Sequence, residues 1–359
     1  MPGKQIGFAV LGLGGVACRA VLPAFAHLDN ARLVAVVSGD RAKAQTVAQQ
    51  YHATAYHYEE LRQCLQRDDV HAAYIALPNS MHCDYAVEAA RAGAHVLCET
   101  PMAVTADECR RMIRTCQTNR VKLMIAYRLR FHPAHRRLLE LVRDGAIGTP
   151  KTFSSDFTTR VPSSDDIRLQ RRMGGGTVYD LGVHVIDTVR MLFGAEPAQV
   201  MAMTARMSRR FGGDVDENAV ALIRFPDERL AHFHSSFGED PHAHLTVFGE
   251  DGHLRLGNAY RPDTPMTLQR VRDGRVEEER FDPIDQFAAA TAHFADCIVR
   301  DVIPTPSGYE GLQDVRLVEA IYRSARDGRP VTLPRMPRLD TPSAEHDAGR
   351  DPVEKRQAS

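Results

Sequence analysis

The chain has 359 residues, of which 43% are apolar and 25% are charged, and its formal net charge at pH 7 is −1. A chain of this length is longer than an average domain built on one hydrophobic core, so two domains are predicted. The composition argues against a disordered chain. The balanced charge argues against nucleic acid as a partner, and no apolar run reaches the roughly eighteen residues of a membrane span.

Seven cysteines are spread along the chain, and no two of them form a C-x-x-C pair. An odd number without paired spacing fits free thiols in a reducing compartment better than a disulfide framework. The apolar run at residues 6–11 continues directly into a glycine-rich turn, which leaves nothing for a signal peptidase to remove. We therefore expect a cytoplasmic protein without an export leader.

The stretch around this glycine-rich turn carries the first functional signal. Residues 6–11 are almost wholly apolar, as in a parallel strand covered on both faces. A G-x-G-x-x-A turn follows at 12–17, and then a helix-compatible run to about residue 28. Such a turn lets backbone N–H groups approach a pyrophosphate at the positive end of a helix. Glycine turns are common, but this context predicts dinucleotide binding by Gly12, Leu13, Gly14, Gly15 and Val16.

The first half of the chain then alternates strands with helices. Further strands are predicted at 32–38, 71–77, 95–99 and 121–126, and helices at 41–51, 81–92 and 105–118. This alternation predicts an α/β domain, a Rossmann-type doubly wound parallel sheet over residues 1–126. Its binding crevice should lie at the carboxyl ends of the strands, where the sequence places Ser38, Pro78, Asn79, Glu99, Thr100 and Arg128.

The pattern changes after residue 126. Helices are predicted at 131–143, 177–192, 284–300 and 309–327, and alternating strands at 151–159 and, repeatedly, between 199 and 268. Residues 127–334 should therefore form an α+β domain on an open, mostly antiparallel sheet. Residues 335–359 are polar with scattered prolines, and we expect a flexible tail there.

Cofactor choice can be predicted from the residues after the second strand. NAD enzymes place a carboxylate there to hold the ribose 2′-hydroxyl, but this chain has Ser38 and Gly39, with Arg41 and Lys43 close by. A hydroxyl and two cations suit a 2′-phosphate, which a carboxylate would repel. The sequence thus predicts NADP rather than NAD, with the alternative that both cations are simply solvated.

A second chemical cluster follows the glycines at 174–176. Asp180 and His184 are four residues apart on a predicted helix and should share a face. Hydride transfer from a carbinol needs a base for the hydroxyl proton, and imidazole suits that role near neutrality. Asp180 would orient the ring or hold a neighbouring sugar hydroxyl, unless the two residues are only a structural pair. His232 and His234 alternate on a strand, but no third ligand has convincing spacing, so no metal is predicted.

Six segments of this sequence resemble the glucose-fructose oxidoreductase, inositol dehydrogenase and rhizopine-catabolism (Gfo/Idh/MocA) family, in the order and spacing of that family. They are GLGGVA (12–17), VSGDRAKA (37–44), IALPNSMH (75–82), AGAHVLCETPM (92–102), AYRLRFHPA (126–134) and GGGTVYDLGVH (174–184). The chain is most similar to the NADP-using sugar oxidoreductase branch. The resemblance implies a nucleotide-binding domain followed by a domain whose open sheet often mediates homodimers or homotetramers.

The resemblance also implies roles for individual residues. Glu99 would contact the nicotinamide ribose, and His184 would occupy the acid/base position. Family enzymes read Glu-Lys-Pro where this chain reads Glu99-Thr100-Pro101, and a threonine hydroxyl cannot replace an ammonium group. For His82, capping or packing of a helix is the alternative to cofactor contact. The predicted cofactor contacts beyond the phosphate loop are Ser38, Gly39, Arg41, Lys43, Leu77, Pro78, Asn79, His82, Glu99, Arg128 and Arg168.

Three functions remain after the sequence analysis. The first is an NADP(H)-dependent oxidoreductase that transfers hydride between nicotinamide and a sugar, polyol or related carbohydrate, with His184, Asp180 and Thr100 at the reaction centre. The second is a nucleotide-binding sensor or regulator that has lost catalysis, which the missing lysine allows. The third is a glycosidase that acts by transient oxidation. Such an enzyme would need a strong base near the substrate, and only His184 and Tyr179 are candidates for it.

Overall fold

A six-stranded parallel sheet forms the first half of the fold, and the computed structural model describes residues 5–207 and 214–335. The strand order is β3-β2-β1-β4-β5-β6, so successive strands are added on one side of β1 up to β3 and on its other side from β4 on, while all pairs stay parallel. The strands are β1 Ile6–Leu11, β2 Ala31–Ser38, β3 Thr54–His57, β4 Ala72–Ile75, β5 His95–Cys98 and β6 Leu123–Ile125. The predicted doubly wound sheet is confirmed; β3 is an edge strand that the sequence pattern did not predict.

Helices cover both faces of this sheet. After β1 the chain forms one helical segment made of a π turn, Ala17–Val21, α1, Leu22–Ala24, and a 3₁₀ turn, Phe25–His27. The other helices are α2 Arg41–Tyr51, α3 Leu61–Leu65, α4 His82–Arg91 and α5 Ala106–Thr118. Helix starts are fixed locally: the Asp40 side chain accepts from the Lys43 N–H, and Thr105 forms a reciprocal capping box with Glu108.

A nine-stranded sheet forms the second half, in the order β14-β13-β12-β11-β7-β10-β9-β8-β15. Its pairs are antiparallel except for β7 and β10, which run parallel. The strands are β7 Pro150–Arg160, β8 Gln199–Ala205, β9 Asn218–Arg224, β10 Leu230–Ser236, β11 Gly238–Gly249, β12 Gly252–Gly257, β13 Met266–Arg272, β14 Arg275–Phe281 and β15 Val331–Thr332. The predicted open, mostly antiparallel sheet is confirmed, with β14 as a strand that the sequence analysis missed.

Side-chain alternation shows which face of this sheet is covered. On β9, Ala219, Ala221 and Ile223 are buried, whereas Val220 and Leu222 are exposed. The covered face packs against α6, Pro133–Arg143, α7, Val183–Phe193, and part of α9, Gly308–Asp327. The opposite face of β8 and β9 has no element of the described chain packed on it.

Two late helices connect the halves of the fold. Helix α8, Gln286–Val299, packs on the first sheet, where the ring of Phe294 lies 6.3 Å from that of Phe8. Helix α9 contributes Leu312 to the core of the first half and Leu317 to the core of the second. The boundary proposed at residues 126 and 127 therefore separates the sheets, while α8 returns to the first one. The predicted tail lies, from residue 336 on, outside the described residues.

Within the described residues no helix is both long and apolar enough to span a membrane. The seven cysteines all lie within the described residues, none of them forms a disulfide, and six of them are buried.

Candidate active site

The glycine-rich turn at the carboxyl end of β1 has the geometry of a phosphate cradle. Gly12 has φ +94°, and a Cβ there would lie 2.5 Å from the Ala76 carbonyl oxygen, so only glycine fits. A Cβ on Gly14 would meet nothing within 4 Å, and Gly14, Gly15 and Val16 are exposed. The loop backbone at this helix start is thus open to an incoming pyrophosphate and fits a dinucleotide.

The sequence analysis missed a cation beside this loop. The Arg19 guanidinium lies over Gly15, and its Nη2 would be 2.9 Å from a Cβ built on that glycine. Arg19 is exposed and stands at the start of the helical segment, four residues after Gly15. This spacing of one helical turn was the available signal.

The end of β2 is more acidic than the sequence analysis expected. Arg41, predicted to hold a 2′-phosphate, instead places its Nη1 3.2 Å from Glu60 and its Nη2 3.4 Å from Glu59. The backbone N–H of His57 and the Arg41 guanidinium lower the pKa of Glu60. The Ser38 hydroxyl accepts from the Asp40 N–H at 3.2 Å. Both glutamates come from the turn after β3, the strand that the sequence pattern did not predict.

Gly39 and Lys43 occupy this same corner. The Tyr58 ring packs on Gly39, 3.0 Å from where a Cβ would lie. The backbone N–H of Lys43 is used in capping α2, while its side chain is exposed. Gly39 therefore permits an aromatic wall at the carboxyl end of β2.

Glu99 stands at the carboxyl end of β5, at the middle of the crevice. The Tyr74 hydroxyl donates to its Oε1 at 2.7 Å. Burial raises the pKa of Glu99, and the hydrogen bond from Tyr74 and the charge of Arg128 oppose that rise. Thr100 follows, partly exposed, and brings a hydroxyl but no charge.

Arg128 approaches Glu99 from the turn after β6. Its Nη1 donates to Gln286 Oε1 at 2.5 Å, its Nη2 donates to the Tyr260 carbonyl at 2.9 Å, and the guanidinium lies 5.7 Å from the centre of the Phe287 ring. Burial lowers the pKa of Arg128 to about 10, against the attraction of Glu99. Arg128 therefore remains a cation at neutral pH.

The segment that carries Asp180 and His184 begins with a π turn, Val178–Gly182, and continues as α7. Asp180 Oδ2 lies 3.7 Å from Arg168 Nη1, and His184 Nδ1 is buried without a hydrogen-bond partner among the described residues. A π turn holds more residues than an α turn, so side chains four apart no longer align. The structure therefore does not join Asp180 to His184 as predicted, and it places Asp180 beside Arg168 instead.

His184 lies in a protected, positively charged environment. Burial first, and then the charges of Arg128 and His135, lower its pKa to about 3. The ring is therefore neutral at pH 7, with a nitrogen lone pair available to accept a proton. The sequence analysis expected a pKa near neutrality, and desolvation is the reason for the difference.

Arg168 and the three glycines set the wall beside Asp180. Arg168 donates to both carboxylate oxygens of Asp166, at 3.0 and 2.8 Å. A Cβ on Gly175 would lie 2.3 Å from the Arg168 carbonyl oxygen, and one on Gly176 would lie 2.3 Å from the Tyr322 hydroxyl. These glycines therefore allow close packing within the second half of the protein. Close packing is thus a structural reason for glycine at these positions.

Two further predicted residues have structural partners. His82 is buried, and its Nδ1 and Nε2 each lie 2.8 Å from a backbone carbonyl, of Pro101 and Leu77 respectively. A ring enclosed in this way cannot touch a ligand in the crevice, so the predicted contact of His82 is replaced by a role in holding two crevice loops. Leu77 is itself buried against Gly12, beside the half-buried turn that carries Pro78.

The remaining polar candidates have partners within the protein. The Tyr179 hydroxyl donates to the Val104 carbonyl at 2.7 Å, and burial raises its pKa. His234 pairs with Asp156 and Glu239 on the second sheet. No group of three or more His, Cys, Asp or Glu side chains in the described part of the chain is arranged to hold a metal ion.

Comparison with known proteins gives consistent matches over both halves. A family model described as an oxidoreductase family with an NAD-binding Rossmann fold matches residues 6–127, and one described as the GFO/IDH/MocA C-terminal domain matches residues 135–255. The D-xylose 1-dehydrogenase [NADP(+)] of Haloarcula marismortui is 31% identical, over 92% of this chain and 94% of that protein. The D-xylose 1-dehydrogenase (NADP(+)) 2 of Haloferax volcanii is 34% identical, over 91% of this chain and 99% of that protein.

A solved structure shows the same architecture. The aldose-aldose oxidoreductase from Caulobacter crescentus, crystallised with glycerol, superposes with a TM-score of 0.88 at 34% identity and covers 92% of this chain and 100% of its own.

Proposed function

Because the chain belongs to the GFO/IDH/MocA oxidoreductase family, we propose that it is an NADP(H)-dependent oxidoreductase acting on a sugar or polyol. The observation that carries the proposal is the convergence of Glu99, Arg128 and His184 at the crevice of the first sheet. All three are partly accessible to solvent although deeply enclosed, as expected for the floor of a cleft. The named activities of the Haloarcula and Haloferax relatives support this proposal.

The residues present fit NADP as the cofactor. The exposed loop at Gly14 and the nearby Arg19 would hold the pyrophosphate. Ser38, Lys43 and Arg41, the last of which is paired with Glu59 and Glu60, would face the 2′-phosphate. The Glu99 carboxylate would accept hydrogen bonds from the nicotinamide ribose. When bound, the cofactor supplies the hydride acceptor or donor, and the protein supplies orientation and charge placement.

The side chains around the substrate would have separate roles in the reaction. Oxidation of a carbinol removes a hydride from carbon and a proton from oxygen, and leaves a carbonyl. His184 is neutral and would take that proton, and in the reverse direction it would return it. Asp180, held by Arg168, would bind a neighbouring hydroxyl, and the Thr100 hydroxyl would hydrogen-bond a substrate oxygen.

A catalytically silent sensor is the second candidate, and Thr100 is the specific observation that favours it. The glycosidase alternative has less support, since Tyr179 is hydrogen-bonded elsewhere and its raised pKa disfavours a role as base. The relatives are named as enzymes, which supports catalysis over sensing.

Nicotinamide absorbance with NADP and NAD tests the proposal, using D-xylose within a panel of aldoses and polyols. Wild type, His184→Ala and Thr100→Lys are compared, with His232→Ala as control because His232 is an exposed histidine outside the crevice. We expect turnover by wild type and the control, and a loss on the order of 10²-fold or more in His184→Ala. A silent wild type that binds NADP, with activity only in Thr100→Lys, would instead establish the sensor.

We also propose that the open face of the second sheet joins copies of this chain into a homodimer or homotetramer. Met203 is 70% exposed, Leu222 57% and Val220 49%, on the adjacent strands β8 and β9. Apolar side chains gathered on one uncovered sheet face are typical of an interface.

A further inference from the structure

Two carboxylates share the guanidinium of Arg168 beside the crevice. Nε and Nη2 of Arg168 donate to the two carboxylate oxygens of Asp166, at 3.0 and 2.8 Å, and Nη1 lies 3.7 Å from Asp180 Oδ2. The Arg168 backbone N–H also donates to Asp166 Oδ1 at 2.9 Å. All three side chains are partly buried. Asp166, Arg168 and Asp180, here called the Arg168 cluster, therefore carry two negative charges against one positive charge.

Backbone hydrogen bonds attach the Arg168 cluster to the wall of the crevice. The Gly176 N–H donates to the Arg168 carbonyl at 2.9 Å, and the Asp180 N–H donates to the Gly176 carbonyl at 3.1 Å. In the same glycine turn, the Gly174 carbonyl accepts a 2.8 Å hydrogen bond from the side chain of Asn79, which lies in the loop after β4. The cluster is thus held on the side of the second half that faces the carboxyl ends of the parallel strands.

Neighbouring residues do not supply a replacement for the engaged guanidinium. Arg171 donates its backbone N–H to Asp214 Oδ1 at 2.7 Å and its Nη2 to the Asp214 carbonyl at 2.8 Å, and Arg172 is exposed. Thr100 has a hydroxyl but no charge. An acidic group on the substrate would therefore be repelled by the carboxylates of the Arg168 cluster, whereas a hydroxyl group can donate a hydrogen bond to them.

We propose that the Arg168 cluster restricts the enzyme to uncharged sugars and polyols, because Asp166 occupies the guanidinium that an acidic substrate would need. This inference rests on the proposed function, in which Asp180 binds a substrate hydroxyl. Asp166 takes two parallel N–H groups of Arg168, which are the same groups that would bind a substrate carboxylate. Asp166 is therefore the specificity-determining residue, and Arg168 is a positioning residue that acts through Asp180.

Asp166→Asn is the sharpest test, because it frees the charge of Arg168 with little change of shape. Asparagine keeps an oxygen for the Arg168 backbone N–H and removes one negative charge. D-glucose and D-glucuronate, and likewise D-galactose and D-galacturonate, differ only in a hydroxymethyl group against a carboxylate. With NADP, we expect the kcat/KM of wild type to favour the neutral sugar on the order of 10²-fold. Asp166→Asn should reduce this preference by about tenfold, mainly through a lower KM for the acidic sugar.

Asp165→Asn is the matched control, since Asp165 is an exposed carboxylate of the same loop, and it should keep the preference of wild type. Arg168→Gln should lower kcat/KM for the neutral sugar without admitting the acidic one, and Arg168→Lys should recover part of that loss. Equal use of neutral and acidic sugars by wild type would overturn the inference. The same preference in folded Asp166→Asn and Asp165→Asn would also overturn it.

The two proposals fail in distinguishable ways. If wild type turns over no sugar, the proposed function fails, but saturation-transfer NMR with the NADP-bound protein still compares the binding of D-glucose and D-glucuronate. A gain of D-glucuronate binding in Asp166→Asn would then support the role of the Arg168 cluster, and no gain would overturn it. If wild type is active and Asp166→Asn leaves the preference unchanged, only that role fails.

Discussion

The Asn79 side-chain amide donates a 2.8 Å hydrogen bond to the Gly174 carbonyl, and so joins the loop after β4 to the glycine turn before the π turn. The two residues are 95 positions apart and belong to different halves of the fold. Gly174 has φ +78°, and a Cβ there would lie 2.7 Å from both Asn79 Cβ and Val104 Cγ2. The contact fixes one wall of the crevice against the other.

Gly174→Ala should therefore damage stability and activity together. The left-handed φ costs roughly 1–2 kcal/mol, and the overlap with Asn79 adds roughly 1–3 kcal/mol in the free energy of unfolding. Gly145→Ala is the control, because Gly145 has φ +69° but open space around its Cβ position. Urea denaturation of both variants separates the two costs, and equal losses of stability would contradict the packing argument.

Arg41 and Glu59 should affect NADP binding in opposite directions. Arg41→Ala removes a cation from the place of the 2′-phosphate, and Glu59→Gln removes a carboxylate that competes for the same guanidinium. Exposed ion pairs are worth about 1 kcal/mol or less, so the change in Kd for NADP should be about fivefold in each direction. Calorimetry with NADP and NAD measures both, and NAD binding should change little. Weaker NADP binding in Glu59→Gln would show that Glu59 instead orients Arg41.

The free energy of unfolding should fall in acid, because several buried histidines exclude protons in the folded protein. Burial lowers the pKa of His95, His132 and His135 to about 4 and that of His184 to about 3, from an ordinary value of 6.5. Between these values the unfolded chain binds protons that the folded chain excludes. The free energy of unfolding should therefore fall with pH below about 6.5, by roughly 1.4 kcal/mol per pH unit for each histidine.

Denaturant unfolding from pH 7.5 to pH 4.5 measures this slope. His135→Gln keeps a donor for the Ala259 carbonyl and removes one titrating ring, so its slope at pH 5 should be shallower by about one proton. An identical slope in wild type and His135→Gln would contradict the assignment of that proton.

Charged residues on the open sheet face should prevent association. Met203→Glu and Leu222→Glu each place a carboxylate among exposed apolar side chains of β8 and β9. We expect sedimentation to show a smaller species for both variants, with the folding of each chain preserved. Val276→Glu, on the exposed strand β14 at the far edge of the sheet, is the control. A smaller sedimenting species in Val276→Glu alone would show that the interface lies at that edge instead.

The sequence determined the parts of this protein that depend on local pattern. The apolar strand at 6–11, the glycine turn after it and the capped starts of α2 and α5 are set by residues within about one turn of each other. The sequence also predicted the position of Glu99 in the crevice, because the carboxyl ends of parallel strands meet at one edge of a sheet.

The tertiary structure alone decided which side chains meet across long separations. The competition of Glu59 and Glu60 for Arg41 depends on an edge strand, and the pairing of Asp180 with Arg168 depends on a π turn that the sequence does not mark. The hydrogen bond that holds Arg128 joins it to Gln286, 158 residues away. Burial and charge act through space rather than along the chain, so the raised pKa of Glu99 and the lowered pKa of His184 could be read only from the folded protein.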